Sequence, residues 1–138
     1  MHGAHEALLE QARAAMAQAY APYSNFNVGA AILADNGHIY AGCNVENAAY
    51  PLGCCAEASA ISAMIMGGGK RITAIAVAGT GEELCTPCGG CRQRIREFAD
   101  NDTLILIADK QTLRHTSTLE LLLPLSFGPE NVHESNLD

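Results

Sequence analysis

Apolar residues at helical spacing open the chain. Leu8, Ala12, Ala15, Met16 and Ala19 recur between about Glu6 and Tyr20, and Pro22 stops the pattern. A first amphipathic helix is expected there. The period then changes to that of extended chain. Val28 to Ala34 and His38 to Val45 are strand-like runs joined at Asp35-Asn36-Gly37, where Asn-Gly supplies the positive-φ residues of a tight hairpin. From Cys55 to Met66, the residues Ala56, Ala60, Ala63 and Met64 are spaced for a buried helix that Gly67-Gly68-Gly69 ends. Ile72 to Ala78 predicts a buried strand, Cys88 to Ala99 a helix and Thr103 to Ala108 another buried strand. Thr118 to Leu123 supplies a last short helix before Pro124, and the polar tail after Gly128, above all beyond about residue 130, is expected to be loosely held. The order is α-β-β-α-β-α-β-α. No repeat or low-complexity linker divides the 138 residues, so a single domain over residues 1–138 is expected.

Composition narrows the class. Hydrophobic residues make up 49% of the chain and charged ones 17%, the balance of a globular protein. Fifteen acidic residues against eight Lys and Arg give a net charge of −7, and no basic run offers a track for phosphates. A nucleic acid polymer is therefore not an expected partner. The N-terminal Met-His-Gly-Ala-His-Glu lacks the basic start and apolar core of a secretion signal, and no apolar run approaches a membrane span. A cytoplasmic location is expected, with no membrane partner. In that reducing setting the six cysteines point to metal binding or catalysis before disulfides.

Spacing decides what the cysteines do. Pro87-Cys88-Gly89-Gly90-Cys91 lies where a loop turns into a helix, and Cys55-Ala56-Glu57 opens the preceding helix. Helix N-termini stabilise anions, so thiolates are expected at both. With the Ile72 to Ala78 strand between them, the two helices should pack on one sheet face as right-handed crossovers, bringing three sulfurs together. Three thiolates fill three corners of a tetrahedral zinc site and leave the fourth open for water, the mark of a catalytic site. Zinc can bring that water's pKa toward about 7. Three thiolates against a dication leave the cluster anionic and a weaker Lewis acid than a histidine site, so a nearby proton acceptor gains importance. Glu57 is that acceptor. It could take a proton from the water, deliver it to a ring nitrogen and pass another to departing ammonia. The competing view makes C-x-x-C a redox pair or half of a structural zinc knuckle, with Cys54 or Cys85 as fourth ligand. A redox pair has no use for the distant Cys-Ala-Glu, and a cysteine adjacent to a ligand is badly placed to close one tetrahedron. Cys43, Cys54 and Cys85 are instead expected as small buried apolar residues.

Zinc deaminases carry His or Cys, one residue, Glu, and then P-C-x-x-C, and this chain meets the pattern in its three-cysteine form. Ser24-Asn25-Phe26-Asn27-Val28-Gly29-Ala30-Ala31, Asn44-Val45-Glu46-Asn47-Ala48-Ala49-Tyr50, Cys91-Arg92-Gln93 and Leu123-Pro124-Leu125-Ser126-Phe127-Gly128-Pro129 extend the likeness. From about Leu8 to Glu130 the chain resembles the small homotetrameric cytidine deaminases. The resemblance implies a three-layer α/β fold, a mixed five-stranded-type sheet with helices on both faces. It also implies one Zn²⁺ per subunit, held by Cys55, Cys88 and Cys91, and hydrolytic deamination of cytidine and deoxycytidine to the uridine forms in pyrimidine salvage. Active sites would be shared between the subunits of a homotetramer.

By the same resemblance, Asn44 and Glu46 would hold the ribose hydroxyls, offering the donors and acceptors a diol needs. Phe26 would pack on the pyrimidine, Tyr50 would lie nearby, and Phe127 would come from a neighbouring subunit. Backbone groups around Ala56 and the Glu57 carboxylate would read the amide-like edge of the base. One position departs from the pattern: Ala58 stands where many relatives carry an arginine that hydrogen-bonds thiolate. Arg92 resembles a second such arginine and is expected, with the two helix starts, to stabilise the sulfurs. The zinc should then be more electron-rich than in those relatives. A zinc deaminase of another aminated heterocycle, of the blasticidin-S type, is the alternative, and Asn44-Val45-Glu46-Asn47 argues against it. A non-catalytic zinc scaffold would have no need of Glu57.

Overall fold

The computed structural model describes residues 2–81 and 83–136. In chain order the elements are α1 (His2–Ala17), β1 (Val28–Ala34), β2 (Ile39–Cys43), a 3₁₀ turn (Tyr50–Leu52), α2 (Ala56–Met66), β3 (Ile72–Gly79), α3 (Gly89–Phe98), β4 (Leu104–Ala108), β5 (Leu113–Thr118), α4 (Leu119–Leu122) and α5 (Pro129–Asn136). The strands form one five-stranded sheet in the order β2-β1-β3-β4-β5. Only β3 and β4 run parallel; the other pairs are antiparallel. This is the mixed, three-layer α/β arrangement expected.

Alternation along the central strands explains the layers. In β3, Ile75 and Val77 face one core with Ala56, Ala60, Ile61 and Met64 of α2 and Ile95 of α3. Ala74, Ala76 and Ala78 face the other, with Leu8, Leu9, Ala12 and Met16 of α1. Strands buried on both faces read as continuous apolar runs, which is why β3 and β4 stand out in the sequence. The two cysteine-bearing helices therefore share one face, and α1 covers the other. Gly42 of β2 lets α2 settle closely, because a Cβ there would meet the backbone of Ala56 and Ala60.

Several local expectations change. Helix α1 ends at Ala17 rather than near Tyr20, since Tyr20 leaves the helix to bond with the β2 exit: its N–H donates to Asn44 O at 3.0 Å and its O accepts from Glu46 N at 2.8 Å. The hairpin needs one positive φ, not two: Gly37 has φ 84°, and Asn36 is not left-handed. With Leu33 opposite Ile39 and Ala34 N bonded to His38 O, the loop has the form of a longer hairpin with a left-handed glycine in last place. Strand β5 escaped the sequence pattern. It is an edge strand whose side chains are exposed except at Ser117 and Thr118, so burial imposes little alternation on it. The tail expected to be loosely held contains α5, where Glu130 pairs with Arg96 and Gly128 N donates to Asn131 Oδ1 at 2.8 Å. No helix among the described residues is long and apolar enough to cross a membrane.

Candidate active site

Cys55 and Cys88 occupy equivalent places. Each is the extended N-cap residue of its helix, Cys55 before α2 (φ −76°, ψ 153°) and Cys88 before α3 (φ −67°, ψ 168°). Cys91 lies in the first turn of α3 and is fully buried. Because the helices start side by side on one sheet face, the sulfurs of Cys55, Cys88 and Cys91 all lie within 4.8 Å of one another. A tetrahedral zinc with Zn–S bonds of about 2.3 Å puts its sulfurs about 3.8 Å apart, so this donor set fits that ion. Cys54 and Cys85 do not join the cluster. Nor are they buried as expected: Cys54 is exposed, and Cys43 and Cys85 are half-buried.

The two caps treat their thiols differently, and one expectation is corrected here. Cys88 is held below the usual thiol range, chiefly by the backbone N–H of Cys91. Cys55 and Cys91 are both pushed up, first by burial and then in part by the negative charge of Glu57. The helix start thus lowers a thiol only where an N–H is aimed at the sulfur. Thiols raised in this way ionise more readily beside a cation, so a metal ion is what would gather three thiolates here.

Glu57, in the first turn of α2, is only 5% exposed. Burial raises its pKa above the ordinary glutamate value, opposed by hydrogen bonds from its own backbone N–H and from Cys91 and by the charge of Arg94. A carboxyl adjusted upward in this way suits proton transfer near neutral pH. Ala56, the first residue of α2, is buried beside it.

A short antiparallel bridge ties this end to the loops. Val45 N donates to Cys54 O at 2.9 Å and Cys54 N to Val45 O at 2.8 Å. Extended chain alternates its side chains, so Asn44 and Glu46 project from the face opposite Val45, and Cys55 from the face opposite Cys54. Glu46 is held by the chain that follows α1. Its Oε2 accepts from Ser24 Oγ at 2.5 Å, and its Oε1 accepts from Tyr23 N at 3.0 Å and Ser24 N at 3.1 Å. Those donors hold its carboxyl below the usual range, the Ser24 hydroxyl most of all. Asn44 braces the same segment, accepting from Val28 N and donating to Phe26 O, both at 2.9 Å.

Phe26 follows Asn25, which takes a left-handed φ of 59°. Its ring lies against Gly81, where a Cβ would collide with it, and close to Gly79 and Cys85. Burial pushes the Cys85 thiol up to about 11, with the charge of Glu57 adding to the shift. Phe26 and Cys85 therefore meet over Gly79. Tyr50 opens the 3₁₀ turn and meets Tyr23 edge-on, with ring centroids 6.1 Å apart. These two rings with Ser24, Glu46, Asn47 and Gly53 line a cavity of about 380 Å³.

Two of the residues singled out in the sequence lie elsewhere. Phe127 is not brought to this cavity; its carbonyl accepts from Gln93 Nε2 at 2.8 Å, and its exposed side chain lines a separate hollow with Gly128 and Val132. Arg92 is not turned to the sulfurs. Its Nε donates to Pro87 O at 2.7 Å and its Nη1 to Leu122 O at 2.8 Å. Arg94 reaches them instead, with Nη1 donating to Cys91 Sγ at 3.7 Å. Helix geometry is the reason: residues three apart share a face, adjacent ones do not.

The cytidine and deoxycytidylate deaminase zinc-binding region matches residues 2–107. A cytidine deaminase of Sporosarcina psychrophila is 39% identical over 127 residues, covering 92% of this chain and 93% of that protein. Among solved structures, a cytidine deaminase from Burkholderia pseudomallei superposes with a TM-score of 0.83 at 41% identity, over 89% of this chain and 98% of the other. One from Mycobacterium tuberculosis gives 0.79 at 39% identity, over 90% and 97%. Such likeness, running through both cysteine segments and nearly to the end of β4, shows that the chain belongs to the cytidine deaminase family of zinc-binding enzymes.

Proposed function

We propose that the protein hydrolyses the exocyclic amine of free cytidine and deoxycytidine, giving uridine, deoxyuridine and ammonia, in pyrimidine salvage. The observation that carries this reading is the convergence of Cys55, Cys88 and Cys91 next to a buried glutamate. One Zn²⁺ per subunit, held by these three sulfurs, would supply a water acidified toward neutral pH. Glu57 takes one proton of the attacking water and delivers it to N3 of the pyrimidine. It then takes the proton of the hydroxyl now on C4 and gives it to the amine, so that the C4 carbonyl forms as the C–N bond breaks and ammonia leaves. Its raised pKa supports both directions of transfer. Backbone groups at Ala56 read the amide-like edge beside it.

Asn44 and Glu46 receive the sugar hydroxyls. Glu46 is suited to this because it is kept ionised and oriented by Ser24, while Asn44 keeps a second amide hydrogen beyond the one given to Phe26. Phe26 stacks on the base, and Tyr50 borders the sugar end. Phe127, exposed and away from its own chain's cavity, completes a neighbour's site in a homotetramer. A cytoplasmic location agrees with the free thiols. Uridine absorbs less than cytidine in the near ultraviolet, so deamination is read as a fall in absorbance. Purified zinc-loaded protein should therefore lower the absorbance of cytidine and deoxycytidine and leave cytosine and cytidine monophosphate unchanged. No change with either nucleoside would overturn the proposal.

A further inference from the structure

Three thiolates and a zinc ion leave a net negative charge, and an ionised Glu57 adds to it in a place from which water is largely excluded. A buried charge of this kind is costly unless a partner offsets it. Arg92, the residue next to Cys91, spends its guanidinium on the carbonyls of Pro87 and Leu122. Arg94, two residues further along α3 and three from Cys91, shares the Cys91 face and donates Nη1 to that sulfur. Arg94 is otherwise exposed, so its guanidinium stays hydrated and keeps its charge.

The surface beside it explains how it gets there. Ala58, directly after Glu57 on α2, lines with Arg94, Ile61, Ser62 and Gln93 a hollow of about 410 Å³ between the two helices. A methyl group at position 58 leaves that hollow open, and Arg94 lines it while donating to the Cys91 sulfur. We infer that Arg94 is the positioning residue that holds the Cys91 sulfur and offsets the charge of the cysteine cluster, acting from α3 in the space that Ala58 leaves on α2. It is not a catalytic residue: it touches a ligand of the metal rather than the substrate.

The inference rests on the zinc reading of the site, and its test separates the two. The protein, stripped and reconstituted, competes with a chromophoric chelator for Zn²⁺, which reads metal affinity without any substrate. Removing a partner of a metal ligand typically weakens binding by 10- to 100-fold, and Arg94→Ala is expected at the lower end, about 10-fold. Arg94→Lys should recover part of the loss, because the charge returns without the planar fork. Ala58→Arg in the Arg94→Ala background should recover most of it by filling the same hollow from the other helix. Arg94 is on the surface, so α3 should survive its loss. Arg94→Gln, which keeps the stem along the helix, repeats the comparison if alanine unsettles the fold. Parent-like affinity in both neutral variants overturns the inference, as does a loss that neither cationic replacement repairs. If the parent itself binds no Zn²⁺, it is the reading of the metal site that falls.

Discussion

The two ends of the site hold their glutamates in opposite ways. At the metal end, Glu57 is buried and its pKa is raised, desolvation being the main cause. At the loop end, Glu46 is partly exposed and its pKa is lowered, chiefly by the Ser24 hydroxyl and then by the amides of Ser24 and Tyr23. Burial without enough donors leaves a carboxyl able to gain and lose a proton; a full set of donors keeps a carboxylate ionised and aimed. The first suits proton transfer, the second suits recognition of hydroxyls. One residue type is fitted for two different jobs because the fold surrounds it differently at two places.

The contrast breaks hardest at Glu57. Glu57→Gln keeps the shape and the capacity to hydrogen-bond but cannot exchange a proton, and general acid–base catalysis is typically worth about 10²- to 10⁴-fold. A fall in kcat toward the upper part of that range is expected, with zinc content unchanged. Steady-state turnover and metal analysis on the same sample check it; near-native turnover would erase the distinction between the two glutamates.

Asn44→Ala comes next, because it damages position as well as recognition. It leaves Val28 N–H and Phe26 C=O without their partner, and an orphaned polar group costs about 1–3 kcal/mol when water cannot replace it. Both a lower Tm and a higher KM are expected. A rise in KM with an unchanged melting temperature would mean that Asn44 does not brace the Phe26 segment.

Glu46→Gln sharpens the other side of the comparison and has a pH signature. The bonds from Ser24 and Tyr23 place the folded-state pKa of Glu46 below its unfolded value. The stabilisation they give is present above the unfolded value and is lost as pH falls through the lowered folded value. The variant should therefore melt below the parent at neutral pH and approach it in acid, while KM for cytidine rises and kcat falls much less than in Glu57→Gln. Melting curves that stay parallel across pH would detach Glu46 from its donors.

How much of this is visible in the sequence follows the range of the interactions. The strands β3 and β4 are legible because both sheet faces are covered and their apolar runs are nearly continuous. Helix α2 is legible because its Ala, Ile and Met recur at helical spacing, and α3 from the loop-to-helix turn at Pro87-Cys88-Gly89 rather than from any apolar run. Strand β5 is not, since it buries no regular face, and helix α5 is not, since Pro-Glu-Asn-Val-His-Glu-Ser-Asn has no apolar period. The three clustered cysteines and Glu57 lie in two short segments whose spacing made them readable. Arg94 was open to the same logic, since three residues from Cys91 on a helix is a shared face, whereas the family resemblance pointed to Arg92. The Glu46 anchor was not open to it, because Tyr23 and Ser24 reach it across 23 and 22 residues. Nor does helix position alone reveal the state of each thiol. Cys55 and Cys88 have like caps, and only the N–H aimed at Cys88 sets them apart.

The smallest effect is expected next door to the largest one. Cys54 and Cys55 are adjacent, yet extended chain sends their side chains to opposite sides of the bridge with Val45. Cys54 Sγ lies 3.4 Å from Ser59 Oγ, outside the sulfur cluster, whereas Cys55 is one of its three members. Cys54→Ser should keep its full zinc content and nearly all turnover, because a hydroxyl can take over the contact with Ser59. Cys55→Ser should lose the metal, since two sulfurs and an alcohol make a poor site for it. Metal analysis of the two proteins side by side reads the difference directly. Zinc loss from Cys54→Ser would mean that Cys54 reaches the ion after all, closing the corner that must stay open for water if the site is catalytic.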